Sequence, residues 1–147
     1  MKTHILTALL LSTAMVITLS SCKKDKPAQP AAPTIQLTEV GHDNNRQAVQ
    51  GDDMHLEATV TAPGLIKRID VEIHQEGGSF KIEQAWTEGK YIGVKNTEFH
   101  EHIDIPAEAP LGACHLHFTV SDQKGQTATA EASVQVVANT GEKHHEE

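Results

Sequence analysis

Histidine is the residue whose number and spacing most strongly suggest chemistry in this sequence, with ten among 147 residues. Six lie in runs with strand-like alternation, and four of these form two His-x-His pairs. Residues two apart on a strand point to the same side, about 6.6 Å apart, so each pair presents two imidazoles on one face. Neutral imidazole nitrogens suit Zn, Cu(II) and Ni(II). The candidate metal ligands are His55, His74, His100, His102, His115 and His117.

Short runs of alternating apolar and polar residues position these histidines, and they extend from Thr34 to about Ala138. Separated by turn residues, they predict an all-β fold, an immunoglobulin-like antiparallel β-sandwich of seven or eight strands. We expect a polar loop from His42 to Gly51 and one or two edge strands from Phe80 to Asn96. Ser121 to Gly125 is expected to form a hairpin turn.

The six histidines all fall opposite the apolar residues of their strands, so their rings are expected to lie outside the core. Assigned by chain order to the immunoglobulin topology, His55 begins strand B and His74 ends strand C. His100 and His102 lie in strand E, and His115 and His117 begin strand F. Strand B pairs with strand E, and strand C pairs with strand F. This order brings His55 beside His102, and His74 beside His115, toward one end of the sandwich. The loop from Pro106 to Gly112 is expected at that end. We therefore expect the histidines to converge on one metal site.

Three outward carboxylates are candidates to ligate the same ion or to orient a ring, namely Glu57, Glu72 and Asp104. The alternative is that the histidines are only solvated, as outward histidines on strands often are. Haem ligation by two histidines is less favoured, because few aromatic residues are present to line a pocket. His144 and His145 belong to a polar tail that is expected to be a solvated end.

The sequence does not favour an enzyme. Strand alternation points Glu101 away from His100 and His102. The sequence His100-Glu101-His102 is therefore not equivalent to the helical HExxH motif of zinc proteases. We find no glycine-rich phosphate loop and no nucleophile elbow. Cys114 shares the inward direction of Leu116, which predicts a buried, unreactive thiol.

The first 22 residues are similar to the leader of a bacterial lipoprotein. The apolar run from Ile5 to Leu19 follows Lys2 and would rise about 22 Å as a helix, too short for an ~30 Å hydrocarbon core. Leu19-Ser20-Ser21-Cys22 resembles a lipobox. This resemblance implies cleavage before Cys22 and lipidation of its thiol by palmitate-type acyl chains. The alternative is an ordinary signal peptide with a chance cysteine.

These features divide the chain into four parts: a signal peptide (1–21), a lipidated N-terminus and Pro/Ala/Lys tether (22–33), the β-sandwich (34–138) and a polar His/Glu tail (139–147). The expected partners are the membrane, through the lipid, and a metal-uptake or other envelope protein. Lys23 and Lys24 do not resemble an inner-membrane retention signal, which favours the outer membrane, on its periplasmic or surface face. A net charge of −8 argues against nucleic acid.

Several strings resemble a family of small Bacteroidota lipoproteins known as domain of unknown function 4625 (DUF4625). They are Met54–Ala58, Ile69–His74, Lys95–Pro106 and His115–Phe118, and the part from Phe99 to Pro106 is the most specific. The similarity extends over about Pro33 to Val137. Cys114 departs from it, because an aromatic or other residue is expected before the His-x-His pair. The resemblance implies an immunoglobulin-like lipoprotein and supplies no activity.

The residues themselves predict a membrane-anchored lipoprotein that binds a transition metal, or a metal-carrying ligand, at the cell envelope. The alternative belongs to another class. It is a non-catalytic surface interaction or adhesion module that contacts a partner protein or a glycan through the same histidine-rich surface.

Overall fold

The computed structural model describes residues 28–141. Eight strands and one short 3-10 helix account for the regular structure of this part of the chain. The strands are β1 (Thr34–Val40), β2 (Gln47–Val49), β3 (Asp53–Thr61), β4 (Ile66–Gln75), β5 (Lys81–Trp86), β6 (Asn96–Asp104), β7 (Gly112–Asp122) and β8 (Thr127–Val137), and the helix is His42–Asn44. The predicted leader, Cys22 and the tail histidines His144 and His145 lie outside the described residues.

The strands form two sheets that enclose the core between them. One sheet has the order β1-β3-β6 and the other has the order β2-β8-β7-β4-β5. The pairings β3–β6 and β4–β7 are those expected of strands B and E and of strands C and F. The structure therefore confirms the predicted all-β, immunoglobulin-like sandwich. One pairing differs from the antiparallel expectation, because β2 runs parallel to β8.

Alternation along the strands produces the core as predicted. Residues such as Leu56, Val71 and Leu116 are buried, while their neighbours in sequence face outward. Phe99 is the centre of an aromatic cluster, with the rings of three neighbours 4.8–4.9 Å from its own; these are Trp86, Tyr91 and Phe118. Hydrophobic burial between the two sheets is the main source of stability in such a fold.

Cys114 lies within this core, as its inward direction predicted. Burial raises the pKa of the Cys114 thiol. Because the thiolate is the reactive form, the thiol is chemically quiet at neutral pH.

One segment differs from the sequence-based expectation. The expected polar loop from His42 to Gly51 contains the 3-10 helix and β2, with Ala48 fully buried. Three residues are too few for alternation to reveal a strand, and β2 exists because it pairs with the end of β8. The prediction of one or two edge strands from Phe80 to Asn96 is confirmed by β5, which lies at the edge of its sheet.

The hairpin turn between β7 and β8 is built around Asp122, which is fully buried. Its Oδ1 accepts hydrogen bonds from the backbone N–H groups of Lys124 (2.9 Å) and Gln126 (2.8 Å), and Gln126 Nε2 donates to Oδ2 at 3.0 Å. Burial alone would raise the pKa of Asp122, but these hydrogen bonds together lower it below the ordinary value. A Cβ at Gly64 would overlap Oδ2, so the turn before β4 packs closely on this carboxylate.

The protein is expected to lose stability in acid, and Asp122→Asn is expected to flatten this loss. A carboxyl with a lowered pKa in the folded state stabilises the fold above its unfolded pKa, and this stability is lost as pH falls through the folded pKa. The relevant window begins at about pH 4, where an unfolded Asp titrates, and extends downward. Urea midpoints measured from pH 6 to pH 2 test this, with the exposed Glu88→Gln as control. A parallel acid profile in Asp122→Asn and in the unchanged protein would refute it.

Gln126 also holds the chain that enters the sandwich. Its Nε2 donates to the backbone carbonyls of Pro30 (3.0 Å) and Ala31 (3.3 Å). The tether residues therefore meet the sandwich at the end where β3 finishes and β4 begins. We call this the tether end, and the opposite end, where β4 finishes and β7 begins, the far end.

Candidate metal centre

Three histidines meet on the outer face of the smaller sheet, and we call them the β3–β6 histidine group: His55, His100 and His102. His55 faces His102 across the β3–β6 pair, as strand order predicted. The ring centroid of His55 lies 4.5 Å from that of His100 and 5.1 Å from that of His102. One ligand nitrogen from each ring can be chosen so that all three lie within 4.8 Å of one another. Ligands around a tetrahedral Zn ion are about 3.3 Å apart, so modest ring rotations would close the site.

Carboxylates contact the rings of this group. Asp53 Oδ1 lies 2.8 Å from His102 Nδ1, and Glu57 Oε1 lies 2.9 Å from His100 Nδ1. In metal sites a carboxylate that accepts from one ring nitrogen fixes the ring so that the other nitrogen can ligate. Glu57, predicted from its outward direction, is in this position, whereas Asp53 takes the place expected of Asp104, its cross-strand partner.

A β-bulge brings a further carboxylate to the group. Strict alternation in β1 would point Glu39 inward with Leu37, but the register shifts between these two residues. A bulge inserts one extra residue and so reverses which residues face the core beyond it. Val40 is consequently buried, and Glu39 Oε1 lies 3.3 Å from His55 Nδ1 on the outer face. Glu39, His55 and Glu57 form a second set of ligand atoms within 4.8 Å of one another.

His55 is the most enclosed ring of the group, with 16% of its side chain exposed. Its Nε2 is buried and has no hydrogen-bond partner among residues 28–141. Glu57 Oε1 lies 3.4 Å away, but the angles do not fit a hydrogen bond. A buried polar atom left without a partner is costly, and a bound ion is one way to satisfy it.

His42 is a fourth histidine at this surface that the sequence did not point to. Its ring centroid lies 6.0 Å from that of His55 and 6.5 Å from that of His102, and its Nε2 is 3.9 Å from Asp53 Oδ1. It follows β1 in the segment expected to be only a polar loop. The signal that could have identified His42 is the antiparallel pairing of the first two long strands, β1 and β3. This pairing places the end of β1 beside the start of β3.

Tyr91 fixes the strand that carries His100. Its hydroxyl accepts the backbone N–H of His100 at 3.1 Å and lies 2.8 Å from the His100 carbonyl oxygen. Glu101 Oε1 is 2.6 Å from the same hydroxyl, so Glu101 points away from both rings, as predicted. Burial, assisted by the contact with Glu101, raises the pKa of Tyr91 and keeps the phenol protonated. The edge of β6 is therefore held in place behind the histidines.

The remaining three predicted ligands lie on the larger sheet, and we call them the β4–β7 histidine group: His74, His115 and His117. His74 faces His115 as expected, and its ring stacks on that of His117 with centroids 5.1 Å apart. The expectation of a single site is wrong, because β3 and β6 belong to one sheet and β4 and β7 to the other. The outer faces of two packed sheets point in opposite directions, so the six histidines form two groups with the core between them.

A groove of about 740 Å³ lies on the outer face of the larger sheet, beside the β4–β7 histidine group. Most of the residues that line it are polar or charged, and they include Asp70, Glu72, His117, Thr119 and Glu131. Acidic groups outnumber basic ones, so the groove favours a polar or cationic ligand.

The fold and these contacts define an immunoglobulin-like β-sandwich with histidine–carboxylate groups on its outer faces. The chain belongs to the family described as a domain of unknown function, DUF4625, whose sequence profile matches residues 20–137. No curated protein matches the sequence. Among residues 28–141, no helix has the length and apolar character needed to cross a membrane.

Three solved structures are similar to this chain at low identity, and the two of OgpA share its fold. Two are of OgpA from Akkermansia muciniphila, each 12% identical with a TM-score of 0.52. The wild-type structure is matched over 73% of this chain and 30% of OgpA. The catalytically inactive form, in complex with an O-glycopeptide substrate, is matched over 78% and 32%. A Niemann-Pick type C2 protein from the Japanese carpenter ant is 10% identical with a TM-score of 0.46, over 73% of this chain and 94% of that one. The chain thus spans about a third of the length of OgpA.

Proposed function

We propose that this protein is a lipid-anchored, non-catalytic lipoprotein of the cell envelope that binds a transition metal ion, free or within a metal-carrying ligand. The β3–β6 histidine group holds the ion. The observation that supports this most directly is the approach of three imidazole nitrogens within 4.8 Å of one another. Imidazole ligands suit Zn, Cu(II) and Ni(II), and the protein would serve capture, storage or handover.

The charges around the group favour a cation. Glu39, Asp53 and Glu57 each contact a ring of the group, so three carboxylates lie beside the imidazole nitrogens and would attract a cation. The strands that bear the rings are anchored by core residues on their inner faces, so the ligands are held on rigid elements. Little ordering is then required when an ion binds.

The position of the group suits a protein anchored by its N-terminus. The tether meets the sandwich at the tether end, where Thr34 pairs with Thr61. His55 and His102 lie toward the far end of the same sheet. An anchor at Cys22 would thus hold the ligands away from the lipid surface, where they can reach ions or a partner such as a metal-uptake protein.

Metal binding is tested with a chain beginning at residue 22, in which Cys22→Ser removes the lipid-acceptor thiol. His144→Ala and His145→Ala remove tail histidines that would bind metal weakly. We call this the test chain. Titration calorimetry with Zn, Cu(II) and Ni(II) should show saturable binding tighter than about 10 μM for at least one ion, or about 7 kcal/mol. Thermal unfolding should show a stabilisation of roughly 2.7 kcal/mol at a hundredfold excess over Kd.

The double substitution His100→Ala and His102→Ala should abolish this tight binding and the stabilisation that accompanies it. His115→Ala with His117→Ala is the matched control, because it also removes two strand histidines but from the other sheet. The control should keep the tight binding. No saturable binding by the test chain, or tight binding that survives loss of His100 and His102, would overturn the proposed site.

The second candidate function is a surface module that contacts a partner protein or a glycan. The polar groove on the larger sheet favours it, as does the likeness of fold to OgpA, one structure of which is a complex with an O-glycopeptide. This second function becomes the favoured one if the test chain does not bind metal. A glycan array or a pull-down with Glu131→Lys as a groove variant then tests it.

A further inference from the structure

The β4–β7 histidine group repeats the arrangement of the β3–β6 histidine group on the opposite sheet. In each group a single histidine faces one member of a His-x-His pair on the neighbouring strand. His55 faces His102, and His74 faces His115. The other member of each pair is two residues away and contacts the single histidine, with centroids 4.5 Å apart for His55 and His100 and 5.1 Å for His74 and His117.

The carboxylate contacts are repeated as well. Glu72 Oε1 lies 3.0 Å from His74 Nδ1, and Glu131 Oε1 lies 3.2 Å from His117 Nδ1. His115 Nε2 is 3.3 Å from Glu76 Oε2. His115 and His117 therefore each have a carboxylate that can orient the ring, and Glu72 adds negative charge beside His74.

A buried nitrogen without a hydrogen bond occurs in both groups. His74 Nδ1 is shielded from solvent and has no hydrogen-bond partner in the described part of the chain, although Glu72 is close. It corresponds to Nε2 of His55, since both belong to the single histidine that faces the pair. A buried imidazole nitrogen without a hydrogen bond, on the single histidine of each group, points to a ligand at both.

The second group is looser than the first. Its three rings offer no set of ligand nitrogens within 4.8 Å of one another, whereas those of the β3–β6 histidine group do. More ring rotation is needed to bring three nitrogens onto one ion, and ordering side chains costs binding free energy. We expect the affinity of this site to be lower than that of the first by about tenfold or more.

We propose that His74, His115 and His117 form a second transition-metal site, so that each chain binds two ions of the same kind on opposite faces. This inference rests on the proposed function, because it assumes that the β3–β6 histidine group binds an ion. The core between the sheets prevents the two groups from sharing one ion. The second site borders the polar groove through Glu72, His117 and Glu131, so it is open to a ligand or partner lying there.

The experiment measures stoichiometry in the test chain, with Zn as the probe for both calorimetry and elemental analysis after gel filtration. We expect two ions per chain in two affinity classes. His115→Ala with His117→Ala should reduce the count to one and leave the tight class unchanged. His100→Ala with His102→Ala should remove the tight class and leave the weaker one.

The outcomes separate the two proposals. One ion per chain, lost with His100 and His102, overturns the second site and leaves the first. Two ions that both persist in His115→Ala with His117→Ala also overturn the second site. No binding overturns both. Metal-free melting curves of each variant, expected to overlay because the rings lie outside the core, show that lost binding is not lost folding.

Discussion

Replacing Cys22 with alanine is expected to transfer the protein from the membrane fraction to the soluble fraction, or to leave it as an uncleaved precursor. The expectation follows from the lipobox-like Leu19–Cys22, in which Cys22 is the residue that would receive the acyl chains. Each methylene buried in the membrane contributes roughly 0.8 kcal/mol of binding free energy, so several acyl chains on one residue give stable anchoring. Loss of these chains would remove nearly all of the membrane affinity.

Fractionation followed by intact-mass measurement tests this prediction. The unchanged protein should begin at residue 22 and have the added mass of acyl chains. Cys114→Ala is the matched control, because Cys114 is the other cysteine of the chain and is buried in the core. This control should stay in the membrane fraction. A soluble, unacylated protein that begins at any other residue would rule out the lipoprotein assignment.

Phe118→Ala is expected to cost about 3–5 kcal/mol of unfolding free energy, a large fraction of the total for a domain of this size. Phe118 is fully buried, and its ring meets that of Phe99 edge to face with centroids 4.9 Å apart. Removing the ring loses its hydrophobic burial and leaves a cavity between the sheets, beside Phe99.

Urea unfolding measures the effect, with Thr119→Ala as control. Thr119 is the next residue of β7 but faces outward, where its hydroxyl is 2.8 Å from that of Thr129. Losing this exposed hydrogen bond should cost about 1 kcal/mol or less. Similar losses of unfolding free energy in the two variants would contradict the assignment of Phe118 to the core and of Thr119 to the surface. The outward direction of His115 and His117 depends on the same assignment.

Alternation predicted the core and the outward direction of the histidines because each strand has one buried face. Leu116 and Phe118 are buried and His115 and His117 are not, which is the pattern that β7 shows in the sequence. The immunoglobulin strand order added the neighbours of each histidine, including His55 beside His102. These features depend on local periodicity and on a common topology.

The features that were not predicted depend on contacts distant in sequence. The orientation of Glu39 follows from a bulge in β1, and β2 is stabilised by its pairing with β8. Strand order did place both histidine groups toward the far end, but position along a strand does not specify which side of the sandwich a ring faces. The division into two groups follows only when each strand is assigned to its sheet.

Tyr91 has a consequence for contacts between copies of the protein. β6 is the outermost strand of its sheet, and the unpaired N–H and C=O groups of such a strand can add a strand from another chain. The Tyr91 hydroxyl contacts both of these groups on His100. Strand addition at this point would require the phenol to be displaced from the core, so a single side chain opposes polymerisation along β6.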